Sequence, residues 1–151
     1  MFDVALRRLV DPALIRMAGW ITHTPLSANM VTISGAGLAL GAAFSVTQSN
    51  FTAALVFILL NRIVDGLDGA VARINGPTAF GGYLDTICDY IFYLSVPIAF
   101  GLTSAINQIP ALLLVASFTL TAVSFLAFAA IAARQTSGDS AHGPKAFIYS
   151  T

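Results

Sequence analysis

The chain has 151 residues, of which 57% are apolar and 9% charged, with seven Lys/Arg against seven Asp/Glu and a mean hydropathy of +0.83. A soluble domain carries about 25% charged residues, so this composition excludes a water-soluble globule and describes a single-domain, all-α integral membrane protein. A pI near 6.7 excludes a general nucleic-acid binder. The single cysteine, Cys88, excludes a disulfide framework or a multi-cysteine zinc site.

The first 27 residues lack the continuous apolar core of a signal peptide, because Arg7, Arg8, Asp11 and Arg16 interrupt them. Phe2, Ala5, Leu6, Leu9, Ala13, Leu14 and Met17 recur at helical spacing with one greasy face. Asp11-Pro12 reads as an N-cap and first-turn proline, which splits the segment into two short helices. An amphipathic stretch with arginines opposite its apolar face lies in the membrane surface, and Trp20 suits the headgroup level.

Four membrane-spanning segments follow, at 29–48, 51–74, 82–101 and 109–133, each near the ~20 residues needed to cross a bilayer core. They are joined by short linkers at 49–50, 75–81 and 102–108. Gly37 and Gly41 form a small-residue pair on the first span that suits close helix packing. If the spans alternate, the linkers at 49–50 and 102–108 hold no Lys or Arg, and every cation falls at or near the other side. The positive-inside rule then places the N-terminus, residues 75–81 and residues 134–145 in the cytoplasm. After a polar stretch, Ala146-Phe147-Ile148-Tyr149 opens a new apolar run, as at the start of a further helix cut short.

All seven acids are Asp, and four of them fall within residues 65–89. The second span begins as an ordinary membrane helix and then carries Asn61, Arg62, Asp65, Asp68 and Arg73. Asp65 and Asp68 are i,i+3 and share a helix face, and Asp85 and Asp89 are i,i+4 and share a face of the next helix. The short 75–81 turn predicts that these two helices are antiparallel neighbours with their four carboxylates converging at the cytoplasmic mouth. Insertion scales charge about 2.5–3.5 kcal/mol for one Asp at a helix centre, and four like charges repel. Pairing with Arg62 and Arg73, or capping of helix ends, would relieve part of this. Two divalent cations would relieve all of it. An all-oxygen site suits Mg²⁺, Mn²⁺ or Ca²⁺ better than zinc, and two such metals about 3.5–4 Å apart form a clamp for phosphoryl transfer. Gly66 and Gly69 flank the pair, and Gly69 with Ala72 leaves a bare strip of helix where a ligand can approach the backbone. Arg73 ends the strip and suits a phosphate. Cys88, beside Asp89 on a different helix face, reads as a small packing residue.

Asp65, Asp68, Gly69, Ala72, Arg73, Gly81, Asp85 and Asp89 together match D-x2-D-G-x2-A-R-x(7–8)-G-x3-D-x3-D, and the chain thereby resembles the CDP-alcohol phosphatidyltransferase family. Seven residues separate Arg73 from Gly81, one fewer than is commonest in the family. The interfacial N-terminal helix is also similar to the family's. The family has six membrane helices where four are counted here, so the resemblance implies two further helices after residue 151.

The resemblance implies transfer of a phosphatidyl group from a CDP-alcohol, most commonly CDP-diacylglycerol, to a second alcohol, with release of CMP, in phospholipid synthesis. It implies two divalent cations, Mg²⁺ or Mn²⁺, held by Asp65, Asp68 and Asp85 with Asp89 near them. Asp89 is then the base that deprotonates the acceptor hydroxyl. Gly69, Ala72, Arg73 and Thr78 hold the CDP portion, and the "SANMVT" stretch adds Asn29 and Thr32. Arg134 and Lys145 are the cations left to dock an anionic acceptor or a lipid phosphate. The setting implied is a bacterial inner membrane with the active site facing the cytoplasm, and a homodimer is compatible with it. An intramembrane prenyltransferase also binds diphosphate through Asp and Mg²⁺, but needs its two Asp motifs on distant helices. A divalent-cation transporter uses carboxylates too, but leaves Gly69, Ala72 and Arg73 without a role.

Overall fold

A computed structural model of the chain describes the backbone of residues 2–138 and the side chains of residues 11–134. Every regular element among the described residues is helical: α1 Phe2–Ile21, α2 Ala28–Thr47, α3 Phe51–Asn75, α4 Ala79–Thr103 and α5 Ala105–Gly138. The chain divides into two compact units, Met1–Val115 and Ala116–Thr151, with the boundary inside α5.

The N-terminal segment is one helix, not two, and runs through Pro12. Asp11 and Pro12 are exposed. A proline removes one amide donor and frees one carbonyl, and at an exposed position solvent or headgroups can satisfy that carbonyl. The expected linker at 102–108 shrinks to Ser104, which separates α4 from α5. The other turns follow capping chemistry. Ser27 accepts from the Met30 amide at 3.3 Å at the start of α2, and Asn50 accepts from the Ala53 amide at 3.1 Å at the start of α3.

Three helices, α2, α4 and α5, are long and apolar enough to cross a membrane. α3 fails that apolarity test because Arg62, Asp65, Asp68 and Arg73 crowd its second half, yet it runs antiparallel to α2 over the whole length. Val31 clusters with Leu67, Ala70 and Val71; Gly35 faces Val64 and Asn61; Gly41 faces the Phe57 ring; and Val46 packs with Ala54. A helix in continuous register with a spanning helix crosses with it. α5 carries Leu112, Leu113, Leu120, Phe125 and Phe128 exposed along its length, an apolar surface suited to lipid. The chain is thus an all-α integral membrane protein.

α2 packs extensively against both α3 and α4, whereas α3 and α4 have little backbone contact with each other. Their predicted direct adjacency is therefore replaced by α2 as a shared partner. The cause lies in α2's side chains. Gly35, Ala36, Ala39 and Ala42 are buried and small, so two helix backbones can approach the same helix closely. Gly41 belongs to this surface: a Cβ there would stand 3.2 Å from Phe57. Gly37 does not, since it is exposed and nothing lies within 4 Å of a Cβ built on it. α3 and α4 meet chiefly through long side chains, such as the stacked rings of Phe51 and Phe100, whose centroids are 6.0 Å apart. α1 leans on α3, where Ala18, Leu14 and Ile21 join the cluster of Leu67 and Ala70. Its outward side exposes Ile15, Met17 and Trp20.

Candidate active site

The gap between α3 and α4 opens as a cavity of about 380 Å³ at the end of the bundle that holds the 76–78 turn. α2 forms its back wall. Asp68, Gly69 and Ala72 enter from α3, Thr78 and Asp85 from the α4 side, and Asn29 and Thr32 from α2. A narrow recess continues inward between Thr32, Gly35 and Ala36 on one side and Asp65, Cys88 and Asp89 on the other.

The predicted convergence of the carboxylates is present. One oxygen each from Asp65, Asp68 and Asp85 lies within 4.8 Å of the other two. Asp68 is only 5% exposed and lies against the Thr32 hydroxyl, which itself donates to the Ala28 carbonyl at 3.0 Å. Asp89 is half-buried in the same recess beside Asp65. Among the described residues, the ion pairs at this cluster both come from Arg62, at 3.8 Å to Asp65 and 3.7 Å to Asp89. Among the described residues, the Asp68–Asp85 side of the cluster has no side-chain cation in contact. A buried carboxylate without a counter-charge is costly, and this all-oxygen donor set fits a hard divalent cation. The residues present therefore suit the implied metals.

The two flanking glycines differ. A Cβ at Gly66 would come within 2.8 Å of Leu14 Cδ1, so Gly66 is the seat on which α1 rests. A Cβ at Gly69 would face the cavity and meet only Arg73 Nη1, at 3.5 Å. Gly69 is thus the bare strip that the spacing predicts, with the Arg73 guanidinium laid over its rim.

Thr78 is the N-cap of α4, with its hydroxyl accepting from the Gly81 amide at 2.9 Å. It also borders the cavity, and Asn29 Oδ1 would stand 3.4 Å from a Cβ at Gly81. The first turns of α2 and α4 therefore both open onto the cavity. Each offers backbone N–H groups and the positive end of a helix dipole to an anion.

Of the remaining predicted residues, Arg134 is exposed near the end of α5 in the second unit, and Lys145 lies outside the described residues, as does the apolar run after it. Sequence reasoning left three contributors without a site role. Asn75 lines the outer cavity. Cys88 is buried and faces the recess, so it packs against the carboxylates and not only against apolar neighbours. Asn61, 4% exposed, donates to the Gly35 carbonyl at 2.8 Å. The signals were there: Cys88 is i,i+3 from Asp85, and Asn61 is a lone amide closing the apolar run FTAALVFILL.

A profile described as CDP-alcohol phosphatidyltransferase matches residues 25–149. The chain is 35% identical to the inner membrane protein YnjF of Escherichia coli over 150 residues, 99% of this chain and 73% of that protein. It is 34% identical to an archaetidylinositol phosphate synthase of Methanothermobacter thermautotrophicus, over 58% of this chain and 42% of that protein. It is 32% identical to a phosphatidylcholine synthase of Mesorhizobium japonicum, over 62% of this chain and 37% of that protein. The matched part is thus less than half the length of either named synthase. No solved structure matches significantly.

Proposed function

The chain belongs to the CDP-alcohol phosphatidyltransferase family, and we propose that its aspartate cavity transfers the phosphatidyl group of CDP-diacylglycerol to a second alcohol, releasing CMP. One observation carries this reading. Carboxylates from two helices converge within 4.8 Å at the floor of a cavity bordered by Gly69 and the first turns of α2 and α4.

In this reading the diphosphate lies over Gly69, where no side chain blocks the backbone. Arg73 contacts it from the rim, and the amides of the first turns of α2 and α4 face its oxygens. Asn29, Thr32, Ala72 and Thr78 border the nucleotide. Asp65, Asp68 and Asp85, with Asp89 beside them, hold divalent cations, Mg²⁺ or Mn²⁺, which when bound would offset the charge that develops on departing CMP. Asp89 accepts the proton of the acceptor hydroxyl. The hydroxyl oxygen then forms a bond to the lipid-bearing phosphorus, the bond from that phosphorus to the CMP oxygen breaks, and CMP leaves with the electron pair. The active site faces the cytoplasm, and labelling of Ser49→Cys should occur only from the opposite side of the membrane.

The test is CMP release from CDP-diacylglycerol by the purified chain in lipid, with a panel of acceptor alcohols and with Mg²⁺, Mn²⁺ or chelator. Cation-dependent CMP release matched by a new phospholipid is expected. Release that persists in chelator overturns the metal assignment. No CMP release with any acceptor overturns the reaction, as a prenyltransferase or a cation transporter would require.

A further inference from the structure

We propose that Arg62 is a positioning residue that sets Asp89 in place for proton abstraction, with Asn61 as its anchor to α2. The inference rests on the reading of Asp89 as the base.

The chain of contacts is continuous across three helices. Asn61 Nδ2 donates to the Gly35 carbonyl of α2 at 2.8 Å. Asn61 Oδ1 then accepts from two nitrogens of Arg62, Nη2 at 2.6 Å and Nε at 3.0 Å. This pair of hydrogen bonds to one oxygen fixes the plane and direction of the guanidinium, which a planar fork allows and an ammonium does not. From that fixed plane Nη1 faces Asp65 of α3 at 3.8 Å and Nη2 faces Asp89 of α4 at 3.7 Å. The other side of the guanidinium lies over the Phe92 ring of α4, 4.4 Å from its centroid, with Tyr93 at 5.8 Å.

Two features make this more than a surface ion pair. First, α3 and α4 share little backbone contact, so a guanidinium held by α2 and α3 and seated on the Phe92 ring ties the Asp89–Phe92 turn of α4 to α3. Second, 3.7 Å is beyond ordinary hydrogen-bond length. The charge therefore draws Asp89 toward Asp65, whose side chain it meets, while Arg62 itself occupies no Asp89 oxygen with a hydrogen bond. A positional error of about 1 Å in such a group can cost 10²-fold in rate.

The test is a cycle of Arg62→Ala, Asp89→Asn and the double variant. Its readouts are kcat, KM for CDP-diacylglycerol, and Mn²⁺ affinity measured by electron paramagnetic resonance without substrate. Alone, Arg62→Ala should lower kcat by about tenfold or more, while donor KM and Mn²⁺ affinity stay within about threefold. In the Asp89→Asn background it should lower kcat by less than about threefold further, because a residue acting through Asp89 has nothing left to position. Arg62→Lys, which keeps the charge but loses the fork, should fall between. It carries the same cycle if Arg62→Ala does not fold. A full multiplication of the two defects, or a parallel loss of Mn²⁺ affinity and donor binding, shows a general structural role and overturns the proposal. Normal turnover by Arg62→Ala beside a slow Asp89→Asn overturns it while leaving the function intact. Normal turnover by Asp89→Asn overturns the reading of the base and this inference with it.

Discussion

The seam between α2 and α3 and the gap between α3 and α4 use the same helix in opposite ways. Along the seam, side chains interdigitate from Val31 against Leu67 and Val71 to the fully buried Val46 against Ala54. Across the gap, the partners are an aromatic stack at one end, a guanidinium over a ring in the middle and carboxylates at the other end. Apolar packing of small side chains is non-directional and draws backbones together. Charged and aromatic groups hold backbones apart at side-chain length and leave room for a ligand. The sequence concentrates rigidity on one face of α3 and chemistry on the other, and variants that act on one face should spare the other.

The largest effects are expected in the gap. Asp89→Asn preserves size but removes the carboxylate assigned as proton acceptor. General-base catalysis is worth about 10²–10⁴-fold, so kcat should fall within that range with CDP-lipid binding little changed. Asp68→Asn should instead weaken Mn²⁺ and CDP-lipid binding together, and added Mn²⁺ should restore part of the activity. Turnover assays with donor titrations separate the two. Neither change should alter thermal stability through the α2–α3 seam, because neither residue's carboxylate contributes to the buried apolar clusters.

A smaller and cleaner contrast uses the two glycines. Gly66→Leu places a side chain where Leu14 already stands, and overpacking of this kind costs about 1–3 kcal/mol. Its signature should be a lowered melting temperature with donor KM unchanged in the folded fraction. Gly69→Ala fills open space. It should gain up to about 1 kcal/mol of helix propensity while raising donor KM, because the added methyl stands on the strip assigned to the diphosphate. Melting and kinetics on the same preparations check both. An equal loss of stability at the two positions would erase the distinction between seat and strip.

The helices and the carboxylate cluster were legible because each rests on local spacing. Apolar runs of membrane length set α2 to α5 to within a few residues. Asp65/Asp68 and Asp85/Asp89 share faces by helical periodicity alone. Which helix lies beside which was not legible. Periodicity states the face a residue occupies but not the neighbour it meets, and the short 75–81 turn suggested direct packing. The small-residue surface of α2 decides otherwise, and it is visible in the sequence only as an alanine- and glycine-rich run whose two partners are unspecified. The single helix through Pro12 was missed for a related reason: the penalty for proline depends on whether the freed carbonyl can find solvent, and that is a matter of exposure. The pairing of Arg62 with the aspartates was legible and is present, but its anchoring follows from the α2–α3 register that brings Asn61 to Gly35.

The smallest expected effect falls where the two faces meet, at Thr78. Its hydroxyl caps α4 by accepting from the Gly81 amide at 2.9 Å, and the same residue borders the cavity. Loss of a Thr cap to Ala costs about 1 kcal/mol in a typical helix. Thr78→Ala should therefore lower the melting temperature modestly. If capping is the whole role, donor KM should follow only through fraying of the first turn of α4, whose amides are assigned to the diphosphate. Thr78→Ser distinguishes the possibilities. Serine retains the capping oxygen but lacks the methyl group, so it should restore both stability and donor KM if the hydroxyl is what counts. Restored stability with donor KM still raised would assign the methyl group a contact of its own in the cavity. That outcome would make Thr78 part of the nucleotide wall as well as the cap that orients it.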